Sequence, residues 1–218
     1  GNMAYLGSFV LSLQTFQEFF TVDLDTYIDV LNAQLGKQSA DMTLKAYLKK
    51  IDFLHTETER IRSTLVDTLW LHAFEVDCKE LKQHLLGNAR IMRKLLLRKI
   101  NVDMRTHCDS MVSKFGEFYG ILNTWPKDIE AFDKLKQSLE SFTMMHVDAV
   151  AAVATVENHL RGLEERKFDI TQSDYNLYWE SRRWPYLLNN GRSKVRESMP
   201  QFQKRFENEL GMQKRVFM

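Results

Sequence analysis

Apolar positions return every three or four residues over stretches far longer than an ordinary helix. Leu44, Tyr47, Ile51, Leu54, Thr58, Ile61, Leu65, Thr68 and His72 form one such series of apolar or small positions. A second runs Leu97, Ile100, Met104, Cys108, Met111, Phe115, Phe118, Leu122. A third runs Ile129, Phe132, Leu135, Leu139, Phe142, His146, Ala149, Val153, Val156, Leu160, Leu163. Steps averaging about 3.5 residues keep one helix face against its neighbours, so each series predicts a helix packed on others. The last two predict helices of about 40 residues each, on the order of 60 Å long. Trp125-Pro126 separates them, and proline disfavours the α conformation in the residue before it. Two such helices folded back across one turn predict an all-α, elongated antiparallel helical bundle flanked by shorter helices.

The remaining segments read as those shorter elements. MAYLGSFVLSLQTFQEFF reads as an amphipathic helix, DLDTYIDVLNAQL as a helix N-capped by Asp23, and the helix after GKQSA as capped by Asp41. Phe74 to Asp77 reads as a break. KFDITQSD reads as a loop in which Thr171 or Ser173 caps a helix bearing Trp179 and Trp184. Asn189-Asn190-Gly191 is expected to end that helix, and a last one runs to about Phe217 with Phe202 and Phe206 on one face. The organisation expected is therefore an N-terminal helical segment, 1–76, a long antiparallel pair, 77–167, and a C-terminal segment, 168–218, carrying the W-x(4)-W-P element.

Composition narrows the function classes. Nine glycines and three prolines in 218 residues leave too few turn formers for a strand-rich fold, and 44% hydrophobic content supports a substantial core. A formal net charge of +1 gives no bulk attraction to nucleic acid or anionic lipid. No run of 18 or more apolar residues occurs, so no segment is expected to span a membrane. Two cysteines, Cys78 and Cys108, and no Asn-x-Ser/Thr sequon fit a reducing compartment. Gly1 and Asn2 ahead of Met3 read as an appended remnant on a piece of a longer protein.

Tests for chemistry return structural readings. Gly36-Lys37-Gln38-Ser39 echoes the end of a phosphate loop, but Leu31 stands where the earlier glycine is required. Gly116-x-x-x-Gly120 suits close approach of a neighbouring helix. No Glu-x-x-His occurs, the Glu80/His84 pair has no second element, and His146 falls within an apolar stripe. RIMRKLLLRK concentrates five basic residues, Arg90, Arg93, Lys94, Arg98 and Lys99. They read as a solvated face pairing with the acidic stretch Asp128–Glu140, or as a partner-binding face. No catalytic residue, cofactor site, metal site or small-molecule substrate is expected.

The C-terminal third, KFDITQSDYNLYWESRRWPYLLNNGRSKVRESMPQFQKRFENELGMQKRVF, resembles the stem of axonemal dynein heavy chains shortly before the linker. The resemblance is carried in order by Leu163, Asp174, Trp179, Trp184-Pro185, Phe202, Phe206 and Phe217. It extends upstream through Pro126, Ile129, Glu130, Leu135 and Leu139, and through Phe74, Val76, Asp77 and Leu81. None of the motor's nucleotide modules or its microtubule-binding stalk lies in these residues. The resemblance implies a non-catalytic rod segment spacing the motor from its cargo end, in the cytoskeleton of a cilium or flagellum axoneme. Its partners would be the rest of the heavy chain and neighbouring dynein subunits. Structural anchors would then be Trp125, Pro126, Trp179, Trp184, Pro185, Phe202 and Phe206. The alternative is a spectrin-repeat-like scaffold binding a protein through the basic face.

Overall fold

The structure is a computed structural model and describes residues 2–71 and 74–216. It is all-α apart from one short hairpin. The helices are α1 (Asn2–Thr15), α2 (Gln17–Thr21), α3 (Tyr27–Leu35), α4 (Ala40–Thr64), α5 (Lys79–Asn123), α6 (Ile129–Glu165), α7 (Gln172–Arg182) and α8 (Trp184–Val216). Between α4 and α5, β1 (Thr68–Leu71) pairs antiparallel with β2 (Phe74–Asp77). The two long helices expected on either side of Trp125-Pro126 are present, with 45 and 37 residues. By backbone packing the chain forms two compact units, 1–102 and 103–218, and this division cuts through α5 rather than following the three segments drawn from helix boundaries.

In the first unit α4 buries Leu44, Tyr47, Ile51, Leu54 and Ile61, the three-and-four series read from the sequence. That series stops sooner than expected. Leu65 ends α4, and Thr68 belongs to β1; His72 lies outside the described residues. The expected break at Phe74–Asp77 is β2, and Cys78 follows it with its N–H on the Asp67 carbonyl, closing the hairpin's base. Two caps also differ. Ser39 Oγ, not Asp41, accepts from Met42 N–H at the start of α4. Asp23 instead takes the Asp25 N–H and the Thr26 hydroxyl in a turn ahead of α3, so α3 begins at Tyr27. Thr26 and Asp25 are held before the helix by the same carboxylate, which is the competition that makes short polar side chains turn formers. Gly36 closes α3 at φ 64°, a left-handed conformation glycine adopts without Cβ strain.

In the second unit the end of α5, α6 and α8 run side by side. On α5 the buried residues are Met104, Cys108, Met111, Phe115, Phe118 and Leu122, and on α6 they include Phe132, Leu135, Phe142, Ala149, Val156, Leu160 and Leu163. Antiparallel register between α5 and α6 follows from Lys114 Nζ to Asp148 Oδ2 at 2.7 Å and from the Phe118 and Phe142 rings at 6.5 Å. This register overturns one expectation. The acidic stretch Asp128–Glu140 lies beside the last residues of α5, and its ion pairs among the described residues are within its own helix, Glu130 with Lys134 and Asp133 with Lys136. In an antiparallel hairpin, residues near the turn face others near the turn, whatever their charges.

Asp128 caps α6 by accepting from Ala131 N–H at 2.7 Å. At its far end Phe168 N–H reaches the Leu163 carbonyl and Lys167 N–H the Glu164 carbonyl, a Schellman closure with Lys167 at φ 53° where glycine is usual. The helix expected to carry both tryptophans is two helices. α7 carries Trp179 and ends at Arg182; Trp184 begins α8. α8 then continues through Asn189-Asn190-Gly191, where a stop was expected, and on through Pro200. The reason lies in packing. Gly191 is buried against Leu122, whose Cβ would stand 3.3 Å from an added Cβ, so this glycine serves helix contact rather than termination.

Candidate functional site

The residues singled out in the second unit converge on the seating of α7 and α8. α7 starts with a capping box: Thr171 Oγ1 accepts from Asp174 N–H, and Asp174 accepts from Thr171 N–H. The Asp174 carboxylate is fully buried, at 0% exposure, and also takes the Thr171 hydroxyl at 2.7 Å and the Arg105 Nε–H from α5. Burial by itself would raise its pKa. The hydrogen bonds from Arg105 and Thr171 and the guanidinium charge outweigh that and hold the carboxyl below the usual carboxylate range. On the α6 side Tyr178 Oη donates to Glu157 at 3.2 Å and Tyr175 Oη to Glu164 at 3.0 Å.

Trp184 sits at the first position of α8 with Pro185 just inside it, where a missing N–H costs nothing because the first helical N–H groups have no intrahelical partner. Its indole lies over Gly116, 3.6 Å from where a Cβ would be, between the Phe115 and Tyr119 rings with centroids 6.3 Å away on each side. So the close approach expected at Gly116-x-x-x-Gly120 is made by a tryptophan, and at Gly116 alone. The Trp184 Nε1–H is buried without a hydrogen-bond partner among the described residues. Beside this seat Cys108 is fully buried, and burial pushes its thiol pKa up.

At the other end of α8 the contacts are between rings. Trp125 meets Phe202 edge-on at 4.5 Å, and Phe132 lies 6.3 Å from Phe202 and 5.1 Å from Phe206. Between the two ends Arg192 lies over the Phe142 ring at 4.6 Å. A cleft of about 320 Å³ opens beside Trp125, walled by Leu122, Leu135, Val195 and Phe202 with Lys194 and Glu197 as its charged members. Its hydroxyl residues, Thr124 and Ser198, make no hydrogen bond to Lys194 or Glu197 among the described residues, and Glu197 is its one carboxylate.

The predicted anchors therefore divide. Trp184, Pro185, Phe202, Phe206, Trp125 and Pro126 belong to this packing, although Trp125 keeps 56% of its surface exposed. Trp179 is 54% exposed, and its ring pairs with its helix neighbours, the Tyr178 ring and the Arg182 guanidinium. Of the predicted basic face, Arg90, Lys94 and Arg98 are exposed at four-residue spacing, whereas Arg93 and Lys99 are half-buried and engaged by neighbours. His84 turns to Asn88 rather than Glu80, and His146 stacks on Phe142 within the α6 stripe at 5.7 Å. Arg105 is what the sequence reading missed. Its bond to Asp174 spans 69 residues, and no local pattern announces such a pair. Among the described residues no group of three metal-binding side chains is gathered. No protein-family model matches the chain, and no curated protein matches it.

Proposed function

We propose that this chain is a non-catalytic, load-bearing segment of a dynein heavy chain tail, coupling a microtubule motor to its cargo or docking end. The observation that carries the reading is the order Leu163, Asp174, Trp179, Trp184-Pro185, Phe202, Phe206, Phe217, in which Phe217 lies outside the described residues and all the others but the exposed Trp179 are buried or seated between helices. Aromatic burial and a paired buried carboxylate resist displacement of one helix along another, which is what a force-transmitting rod requires. The activity of the parent motor would reside in modules outside these residues, and the site of action would be the ciliary or flagellar axoneme.

Mass spectrometry of an axonemal extract tests this. Peptides of this chain should derive from one very large polypeptide that also yields peptides of AAA+ nucleotide-binding modules. If they derive from a polypeptide lacking such modules, the tail reading fails. The scaffold reading then takes its place, favoured by the exposed row of Arg90, Lys94 and Arg98.

A further inference from the structure

α6 has two apolar faces, and among the described residues only one of them is buried. The first is the buried stripe already described. The second lies opposite and is exposed: Met144 at 64%, Val147 at 60% and Val150 at 49%, with Ala151, Ala154 and Asn158 continuing it. At about 100° per residue these positions fall within an arc of roughly 120°. Between Glu140 and Arg161 every exposed residue of α6 is uncharged. The charged residues at its flanks are engaged elsewhere, Asp148 by Lys114 and Glu157 by Tyr178 and Arg182. This double apolarity explains why α6, against the sequence-based expectation, is long and apolar enough by length and composition to cross a membrane.

We infer that the outer face of α6 pairs with the same face of a second copy of this chain, antiparallel, about a two-fold axis near Val150 and Ala151. The face is self-complementary in size. Turned end for end, its bulky half, Met144 and Val147, meets its small half, Asn158 and Ala154, with Val150 against Ala151. It is self-complementary in charge in the same register. Glu140 of one copy faces Arg161 of the other, and Lys136 faces Glu165; Glu140, Arg161 and Glu165 are exposed, and Lys136 is half-exposed. A parallel pairing would set Glu140 against Glu140 and Met144 against Met144, giving repulsion and overcrowding. A membrane-spanning role would leave the ion pairs of Asp148 and Glu157 in hydrocarbon.

The face from Lys136 to Glu165 is about 44 Å long and 10 Å wide, roughly half the patch of a standard stable interface. Association is therefore expected to be weak and concentration-dependent. This inference does not rest on the tail reading.

Sedimentation equilibrium of the 218-residue chain up to millimolar concentration should show a monomer–dimer equilibrium. Glu140→Arg alone, which creates two repulsive pairs per dimer, should weaken it roughly tenfold, and adding Arg161→Glu should restore it. A short bismaleimide should join Ala151→Cys to itself. It should not join Met144→Cys to itself, but should join Met144→Cys to Asn158→Cys, while the buried Cys78 and Cys108 stay unreacted. A monomer at all concentrations, self-joining of Met144→Cys, failure of the double reversal to restore pairing, or binding of the chain to phosphatidylcholine vesicles through α6 would each overturn the inference.

Discussion

The two ends of α8 are held by different physics. At its start, next to α7, the seat combines one tryptophan with an ion pair from the exposed Arg105 to the buried Asp174, a capping box and tyrosine-to-glutamate hydrogen bonds. Toward its other end the seat is Trp125, Phe132, Phe202 and Phe206, ring against ring. Hydrogen-bonded charges fix direction and register and respond to pH. Ring contacts tolerate small shifts, ignore pH and depend mainly on area buried. A helix with one end of each kind is positioned by the first and weighted down by the second.

Truncating either seat should cost most. Trp184→Ala, at a half-buried ring, should lose about 3 kcal/mol and Phe202→Ala, at a buried one, about 3–5 kcal/mol, the range for emptying an aromatic site. They should differ in where protection from hydrogen exchange is lost, over α7 and the start of α8 in the first case and after residue 195 in the second. Identical footprints would erase the distinction between the ends. Trp184→Phe should cost much less than Trp184→Ala, because the lost indole N–H has no partner to abandon.

Arg105→Ala comes next, at about 3 kcal/mol, since it removes the guanidinium that charge-pairs with the buried Asp174 carboxylate. A carboxyl held below its unfolded pKa of about 3.9 adds stability above that pH and loses it as pH falls through the folded value. Denaturation below about pH 4 should therefore release α7 before the ring seat yields, and Arg105→Ala should shrink this acid sensitivity. Exchange that rises evenly along α8 on acidification would argue that Asp174 has no special part.

Lys167→Gly should stabilise the closure between α6 and α7 by about 0.5–1 kcal/mol, read as a higher denaturant midpoint, because glycine adopts the left-handed conformation without strain. Trp179→Ala should change stability by no more than about 0.5 kcal/mol, as exposed positions do. A larger loss would make Trp179 part of the polar seat.

The pattern of the chain disclosed the long helices because packing on neighbours imposes a period that runs on for dozens of residues. It also disclosed Thr171 as a cap and Trp184, Phe202 and Phe206 as packing residues. It missed what depends on distance. Arg105 reads as one more charge on a basic helix until Asp174 is brought beside it. Gly191 reads as a stop after two asparagines until Leu122 is found against it. β1 and β2 were hidden because Thr68 happens to extend the α4 spacing by one further step. Trp179 shows the converse: a tryptophan counted as an anchor for its type alone, where the helix phase turns it outward.

Pro200 lies inside α8, two residues before Phe202. It withholds an N–H from the Arg196 carbonyl and crowds it, a penalty of about 3 kcal/mol in a helix interior. Residues beyond it are thus helical only while Phe202 and Phe206 stay seated. Once those rings lift, the proline acts as a firebreak: unravelling that starts at the distal end halts there instead of running back toward Trp184, and the backbone beside the already exposed Lys204 and Arg205 becomes extended enough for a trypsin-like protease to cut. The molecule thereby carries a distal stretch of α8, 201–216, that can unravel under strain while the part before Pro200 keeps its fold.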